Sequence, residues 1–301
     1  MSWLLFAFSG PVLWAISIHL DKYLVDRYFT DSSPAVLLVF TSILGLLMLP
    51  AIWALAPHVV EVPLRSSLVI TTSGLISMVA MFLYFQALQS EEASVVAPFF
   101  QIAPVFGYAL GYLVLGEVPT AWQAAGGALI VGGTLLLSHR RGDARRFKAR
   151  LVMLMVACAF LLSLTSLVFK VYAISDEFWT TMFWSFAGQA VFGFAIMAIG
   201  SYRRQFLRLL RTNTRALISV NAVNEIVNLG GSLGTRYALV LAPLGLVQAV
   251  TSTTTLFVFV FGVALSVLFP AFGREDLSGG QLLKKGGAAT LIVVGVALVG
   301  H

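Results

Sequence analysis

Apolar residues along the chain gather into ten runs bounded by charges, Pro or Gly, near 3–24, 34–56, 67–89, 92–115, 121–138, 150–174, 178–200, 214–238, 242–269 and 282–300. None of them alternates with the period of two that a membrane barrel strand requires, and each is long enough for a helix. A helix needs roughly 20 apolar residues to cross the hydrocarbon core of a bilayer. The pattern therefore predicts an all-α integral membrane protein of about ten transmembrane helices joined by short loops. The first run carries no basic leader and no small-residue cleavage site behind it, so it is expected to stay as the first helix.

Composition narrows the class. Hydrophobic residues fill 59% of the 301 positions and charged ones 11%, against roughly 45–50% and 25% in soluble domains. No water-soluble fold hides that much apolar surface. Cys158 is the only cysteine, which excludes an intramolecular disulfide, a Cys-based zinc site and an iron–sulfur cluster. The formal charge of +6 does not point to nucleic acid, because its basic residues sit in short segments between apolar runs. Those segments give a direction instead. Loops after odd-numbered helices hold 16 of the 19 Lys and Arg residues, leaving Arg65, Lys170 and Arg236 for the other side. Basic loops favour the cytoplasm, so both termini are expected outside, in a multi-pass protein of the cell membrane, bacterial inner membrane being the expected setting.

The halves of the chain echo one another. Lys22 matches Lys170 at an offset of 148; Ala87-Leu88 matches Ala238-Leu239, and Gly111 matches Gly262, at 151. Gly126-Gly127 before Leu129-Ile130-Val131 resembles Gly286-Gly287 before Leu291-Ile292-Val293. The expected organisation is a first five-helix repeat over 1–139, a basic linker over 140–149 and a second five-helix repeat over 150–301. Five is odd, so the second repeat enters the membrane from the opposite side. Two inverted repeats about an in-plane pseudo-two-fold axis enclose a central cavity that can open to either side in turn.

The segment Gly116-Glu117-Val118-Pro119-Thr120, followed by Gln123 and the Gly126-Gly127 helix, resembles the end of an EamA repeat of the drug/metabolite transporter superfamily. The run Ala93 to Gly116, with Pro104 inside it, is similar to that family's fourth helix. In the second half, Gly273-Arg274-Glu275-Asp276 stands where the Gly-Glu turn is expected, after a few extra residues. The resemblance implies a transport fold whose relatives export amino acids or other metabolites, while more distant ones move nucleotide sugars, phosphorylated sugars or lipid-linked sugars.

Polar residues inside apolar runs mark candidate sites. Asn221, Asn224, Glu225, Asn228 and Ser232 advance by three or four residues and share one helix face. An acid at a helix centre costs at least about 2.5 kcal/mol on insertion scales, so Glu225 is expected to bind a cationic substrate group, to accept a proton, or to pair with Arg236 or a lysine. The offset of 151 aligns Asn224 with Ser73 and Asn228 with Ser77, but Glu225 with Gly74. Lys22 and Lys170 are placed to attract a carboxylate or phosphate near each mouth of the cavity, or else to snorkel to the headgroups. Gln101, between Pro98 and Pro104, can join cavity contacts where prolines free backbone carbonyls. Gln248 and the hydroxyl run Thr251 to Thr255, Ser252 included, line a path or bond back to their own helix. Trp14, Tyr84 and Tyr108 suit aromatic walls for an organic solute. His19 and Asp21, two residues apart, do not share a helix face. Glu91 and Glu92 fit a helix start, and the glycines of helices five and ten suit close helix packing or a homodimer contact.

These features favour a secondary transporter, an exporter or facilitator of a small polar or zwitterionic, amino-acid-like metabolite working by alternating access. A flippase for a lipid-linked sugar or phosphate is the alternative within transport. A receptor or a membrane-embedded enzyme is the alternative outside it, disfavoured because the four histidines are scattered and no nucleophile–base motif is visible. No cofactor is expected. Proton coupling through Glu225 is open, no nucleotide-binding loop is present, and the expected partners are a small-molecule substrate and membrane lipid, with no nucleic acid and a monomer or homodimer.

Overall fold

A computed structural model of the chain describes residues 2–28, 33–90, 97–138, 149–268 and 279–299. Eleven α-helices occur among them: α1 (Ser2–Tyr28), α2 (Pro34–Leu55), α3 (Leu64–Ser90), α4 (Ala103–Leu115), α5 (Ala121–Ser138), α6 (Ala149–Ser175), α7 (Phe178–Ala198), α8 (Gly200–Leu241), α9 (Leu244–Thr251), α10 (Thr254–Leu268) and α11 (Gly279–Val299). Short 3-10 turns cover Pro57–Val60 and Ala97–Ile102. Among the described residues, six segments are long and apolar enough to cross a membrane: Trp3–Asp21, Pro34–Leu55, Leu64–Gln89, Ala149–Ser175, Phe178–Ala198 and Leu244–Gly262. Ala103–Leu115 and Gly286–Val299 are shorter apolar helices. Among the described residues the fold is thus all-helical, with the several long apolar helices of a multi-pass membrane protein. The Glu91–Glu92 pair, residues 140–148 of the linker and the Gly273 to Asp276 turn lie outside the described residues.

Three elements differ from the sequence expectation. The eighth helix was expected over 214–238 with a basic loop before it, but α8 runs unbroken for 42 residues from Gly200. No Gly or Pro interrupts residues 201–229, and an uncharged residue pair in the basic stretch, Gln205 and Phe206, has partners that hold it helical. Phe206 is buried with its ring 5.2 Å from that of Phe40, and the Gln205 side chain accepts the Ser33 backbone N–H at 3.0 Å. The ninth run is not one helix, since α9 ends at Thr251 and α10 starts at Thr254. Hydroxyls compete with the backbone there: Thr251, Ser252 and Thr254 donate to the carbonyls of Val247, Ala249 and Thr251 at 2.8, 2.6 and 2.7 Å. The fourth run likewise opens as a 3-10 turn before α4, where Pro104 suits a first helical turn that needs no donor. The starts of α4 and α10 are 151 residues apart.

The chain forms two compact units, each drawing segments from both sides of the linker. One unit comprises Met1–His19, Glu92–Val152 and Val227–His301. Its α5 and α11 cross antiparallel at two glycines. A Cβ on Gly126 would stand 2.6 Å from the Gly295 carbonyl oxygen, and one on Gly295 2.7 Å from that of Gly126. In the same unit Gly116 ends α4 in the left-handed region at φ 65°, the conformation glycine adopts without strain. That turn aims Glu117, whose carboxylate accepts the backbone N–H of Leu244 at 2.8 Å and so caps the positive end of α9. Thr120 and Gln123 then exchange side-chain and backbone hydrogen bonds at 3.1 and 3.2 Å, a capping box that starts α5.

The other unit comprises Leu20–Glu91 and Met153–Ile226. Here α7 packs on both α2 and α3 through small residues. A Cβ on Gly188 would stand 2.0 Å from the Thr71 carbonyl oxygen, one on Gly74 2.1 Å from that of Ser185, and one on Gly193 2.4 Å from the Ser42 side chain. From within α7, Trp184 donates to the Val59 carbonyl at 2.9 Å, and outside the apolar spans His58 meets Glu177 at 2.5 Å.

Backbone contact at Gly188 leaves no room for a methyl group, whereas nothing lies within 4 Å of a Cβ on Gly132. Gly188→Ala should lower stability by about 1–3 kcal/mol through overpacking. Gly132→Ala should be neutral or stabilise by up to about 1 kcal/mol through helix propensity. Thermal unfolding of the purified protein in detergent separates the two.

Candidate functional site

The inward face of α8 carries the polar stripe. Asn221, Asn224 and Glu225 are all buried, Glu225 with 7% of its surface exposed. Helical spacing alone aligns them, and the absence of any helix breaker nearby keeps the alignment. What the stripe meets comes from two other helices of the same unit. Asn224 Nδ2 donates to Oδ1 of Asp21, on α1, at 2.7 Å. Thr41 Oγ1, on α2, donates to Oε1 of Glu225 at 2.6 Å. Asp21 is itself buried, 8% exposed, and stands close enough to Glu225 for the two carboxyls to act on each other electrostatically. Tyr84, buried on α3, is within electrostatic reach of Asp21 and of the buried Cys158 on α6.

The cluster is rich in acceptors. Asn221 spends its amide N–H on the Leu217 carbonyl at 3.0 Å, leaving its Oδ1 buried without a partner. Glu225 Oε2 is likewise buried and unpartnered. The donors of Thr41 and Asn224 are already committed. A buried oxygen left unpaired costs about 1–3 kcal/mol, more when charged, so the complement of this site is a positively charged group bearing N–H or O–H donors. A proton on one carboxyl meets part of the same demand.

The other sequence-derived candidates separate. Lys170, on α6 of this unit, is enclosed with 5% exposure rather than snorkelling outward. Ser73 is buried on α3, while Ser77 bonds back to the Gly74 carbonyl at 2.6 Å. The side chains of Lys22 and Gln101 lie outside the described residues. Within the other unit, Asn228 and Ser232 are half-buried, and Trp14 packs against Gly231. Gln248 closes on Gly107, and Ser252 is buried with its hydroxyl turned back to its own helix. Tyr108 packs between Gly127 and Gly245, its hydroxyl buried and unpartnered. His19 Nε2 lies 3.3 Å from the Val258 carbonyl.

The sequence expectation took Asp21 only beside His19, near the end of the first apolar run, and did not include Thr41. Asp21 could have been weighed with Glu225, since both are acids inside apolar runs. Thr41 gave no such signal, because a threonine in an apolar helix ordinarily bonds to its own preceding turn.

Comparison with known proteins adds to this geometry. Residues 1–139 match the EamA-like transporter family. Over 102 residues the chain is 31% identical to the pseudopaline exporter CntI of Pseudomonas aeruginosa (strain UCBPP-PA14), covering 34% of this chain and 35% of that one. The match thus spans about a third of the exporter's length. One solved crystal structure aligns with 99% of this chain and 95% of its own at a TM-score of 0.68 and 17% identity, which speaks to fold alone.

The Asn224–Asp21 bond is testable apart from any activity. In a double-mutant cycle of Asn224→Ala and Asp21→Ala, the coupling energy should reach about 1.5–3 kcal/mol, as for a hydrogen bond to a charged or strongly polar group. Unfolding in detergent measures it, with Ser77→Ala, whose hydroxyl bonds only within its own helix, as the low-effect comparison.

Proposed function

We propose, from the match of residues 1–139 to the EamA-like transporter family, that the whole chain is a secondary transporter exporting a small polar solute with a cationic group, such as an amino-acid-like zwitterion. The observation that carries this reading is the pair of buried acceptors, Glu225 Oε2 and Asn221 Oδ1, beside a second carboxyl at Asp21. An ammonium group supplies the positive charge and the donors such a cluster needs. Lys170 is the candidate partner for the solute's acidic group, with Ser73 and Tyr84 as further wall residues. Export is the direction carried by the name of the Pseudomonas aeruginosa relative.

Movement across the membrane follows from two inverted repeats, 1–139 and 150–301, rocking about the site. The equal spacing supports this: the starts of α4 and α10 are separated by the same 151 residues that relate Gly111 to Gly262. Termini outside and arginines inside complete the topology. Two carboxyls cannot both stay charged and uncompensated in an apolar interior, so Asp21 and Glu225 hold a proton when the solute leaves. Outward solute movement is thereby coupled to inward proton movement.

Proteoliposomes loaded with a panel of zwitterionic, anionic, neutral and lipid-linked solutes test the proposal under an imposed pH gradient. Zwitterions should be moved and respond to the gradient. Glu225→Gln should lower their flux by about 10- to 150-fold, the equivalent of one charge-assisted hydrogen bond. Lys170→Ala should reduce transport of acid-bearing solutes more than of simple amines. Full flux in Glu225→Gln would remove the site from the proposal, and movement of lipid-linked solutes alone would replace the soluble cargo.

A further inference from the structure

The basic end of α8 is a helix rather than a loop, which gives its arginines fixed relative positions. A helix of 42 residues is about 63 Å long at 1.5 Å per residue, beyond the roughly 40–45 Å of a bilayer with its headgroups. One end therefore lies at or past the headgroup level. It is the end from Gly200 to Arg215, because five arginines cannot sit in hydrocarbon while Asn221 to Ser232 occupy the apolar remainder of the helix.

At 100° per residue, Arg204, Arg208, Arg211 and Arg215 fall within an arc of about 60°, and all four are exposed. Phe206 and Leu217 point to a different side, where both are buried, as are Asn221 and Asn224 further along. Arg204, Arg208 and Arg211 line, with the exposed Leu207, a groove of about 410 Å³. Three guanidiniums offer forked donors suited to phosphate oxygens, and the leucine offers an apolar wall beside them. This juxtaposition of cationic and apolar surface at the membrane edge matches a molecule that carries both a phosphate and an acyl chain.

We propose that this groove is a binding site for an anionic phospholipid of the surrounding leaflet, its phosphodiester held by Arg204, Arg208 and Arg211 and its glycerol and upper acyl region resting on Leu207. The positive-inside tendency explains why arginines collect on one side of the membrane. It does not require them to share one stripe of a rigid helix around a groove. Because α8 also carries Asn224 and Glu225, a headgroup seated here fixes the same helix that presents the polar cluster. The inference does not depend on the transport reading.

The test uses the full chain purified in a neutral detergent and titrated with phosphatidylglycerol, phosphatidylcholine or inorganic phosphate while its thermal unfolding is followed. Phosphatidylglycerol should raise the midpoint by several degrees and the other two should leave it unchanged. Replacing arginine by glutamine at 204, 208 and 211 together should weaken the apparent lipid affinity on the order of a hundredfold, roughly fivefold for each arginine lost near an anionic surface. Native mass spectrometry of the unmodified protein gives a second reading that needs no variant: phosphatidylglycerol should remain bound where phosphatidylcholine is stripped. Equal responses to the two lipids, or an unaltered response in the triple variant, would overturn the proposal. A midpoint shift with inorganic phosphate as large as that with lipid would assign the groove to a soluble anion instead.

Discussion

A carboxyl group inside a membrane helix sets a demand that neighbouring helices have to meet. Placing an acid at the centre of a membrane span costs about 2.5–3.5 kcal/mol even by insertion scales, and this chain buries two within one cluster, Asp21 and Glu225. Thr41 answers one oxygen of Glu225 and Asn224 answers one of Asp21. Those bonds tie α1, α2 and α8 together in one unit and orient the polar face of α8. They also stop short of satisfying it, since Glu225 Oε2 and Asn221 Oδ1 remain buried acceptors. A stable scaffold would gain by replacing such a cluster with leucines. In the proposed carrier, a cation that arrives and leaves would supply the missing partner.

Glycine contacts draw helices together within each unit. Backbones at Gly74 and Gly188, and at Gly126 and Gly295, approach so closely that a methyl group would meet a carbonyl oxygen. In lipid, where burying apolar side chains between helices gives little driving force, such close approach is how helices gain packing energy. The short Gly116-Glu117 turn serves the same end within its unit. Its glycine closes α4, and its acid caps α9. The residues that signalled a familiar repeat thus have a mechanical reason to occur together.

Much of this was legible from residue order. Long apolar runs have few ways to satisfy their backbones in hydrocarbon, so helices over 34–55, 149–175 and 178–198 were readable nearly to their ends. The polar stripe at Asn221, Asn224 and Glu225 was readable because helical spacing places it on one face. Illegible features depended on competition or on contacts distant in sequence. The Thr251 to Thr254 hydroxyls break an otherwise apolar helix through bonds that spacing does not reveal. The stretch before 214 read as a loop because the charges of Arg203 to Arg211 masked Phe206, whose burial helps keep α8 continuous. Thr41 could be assigned to Glu225 only after α2 and α8 were seen side by side.

The proposed transport cycle requires the polar face of α8 to meet water from each side of the membrane in turn. Cysteine accessibility measures this most directly. With the buried Cys158 replaced by alanine, Asn221→Cys and, as a control on an exposed apolar position of the same helix, Ile226→Cys are treated with a membrane-impermeant thiol reagent from either face of oriented vesicles. The account predicts labelling of Asn221→Cys from both faces and of Ile226→Cys from neither. An Asn221→Cys protein that resists the reagent from both faces, or admits it from one face only under every solute and pH condition, would contradict it.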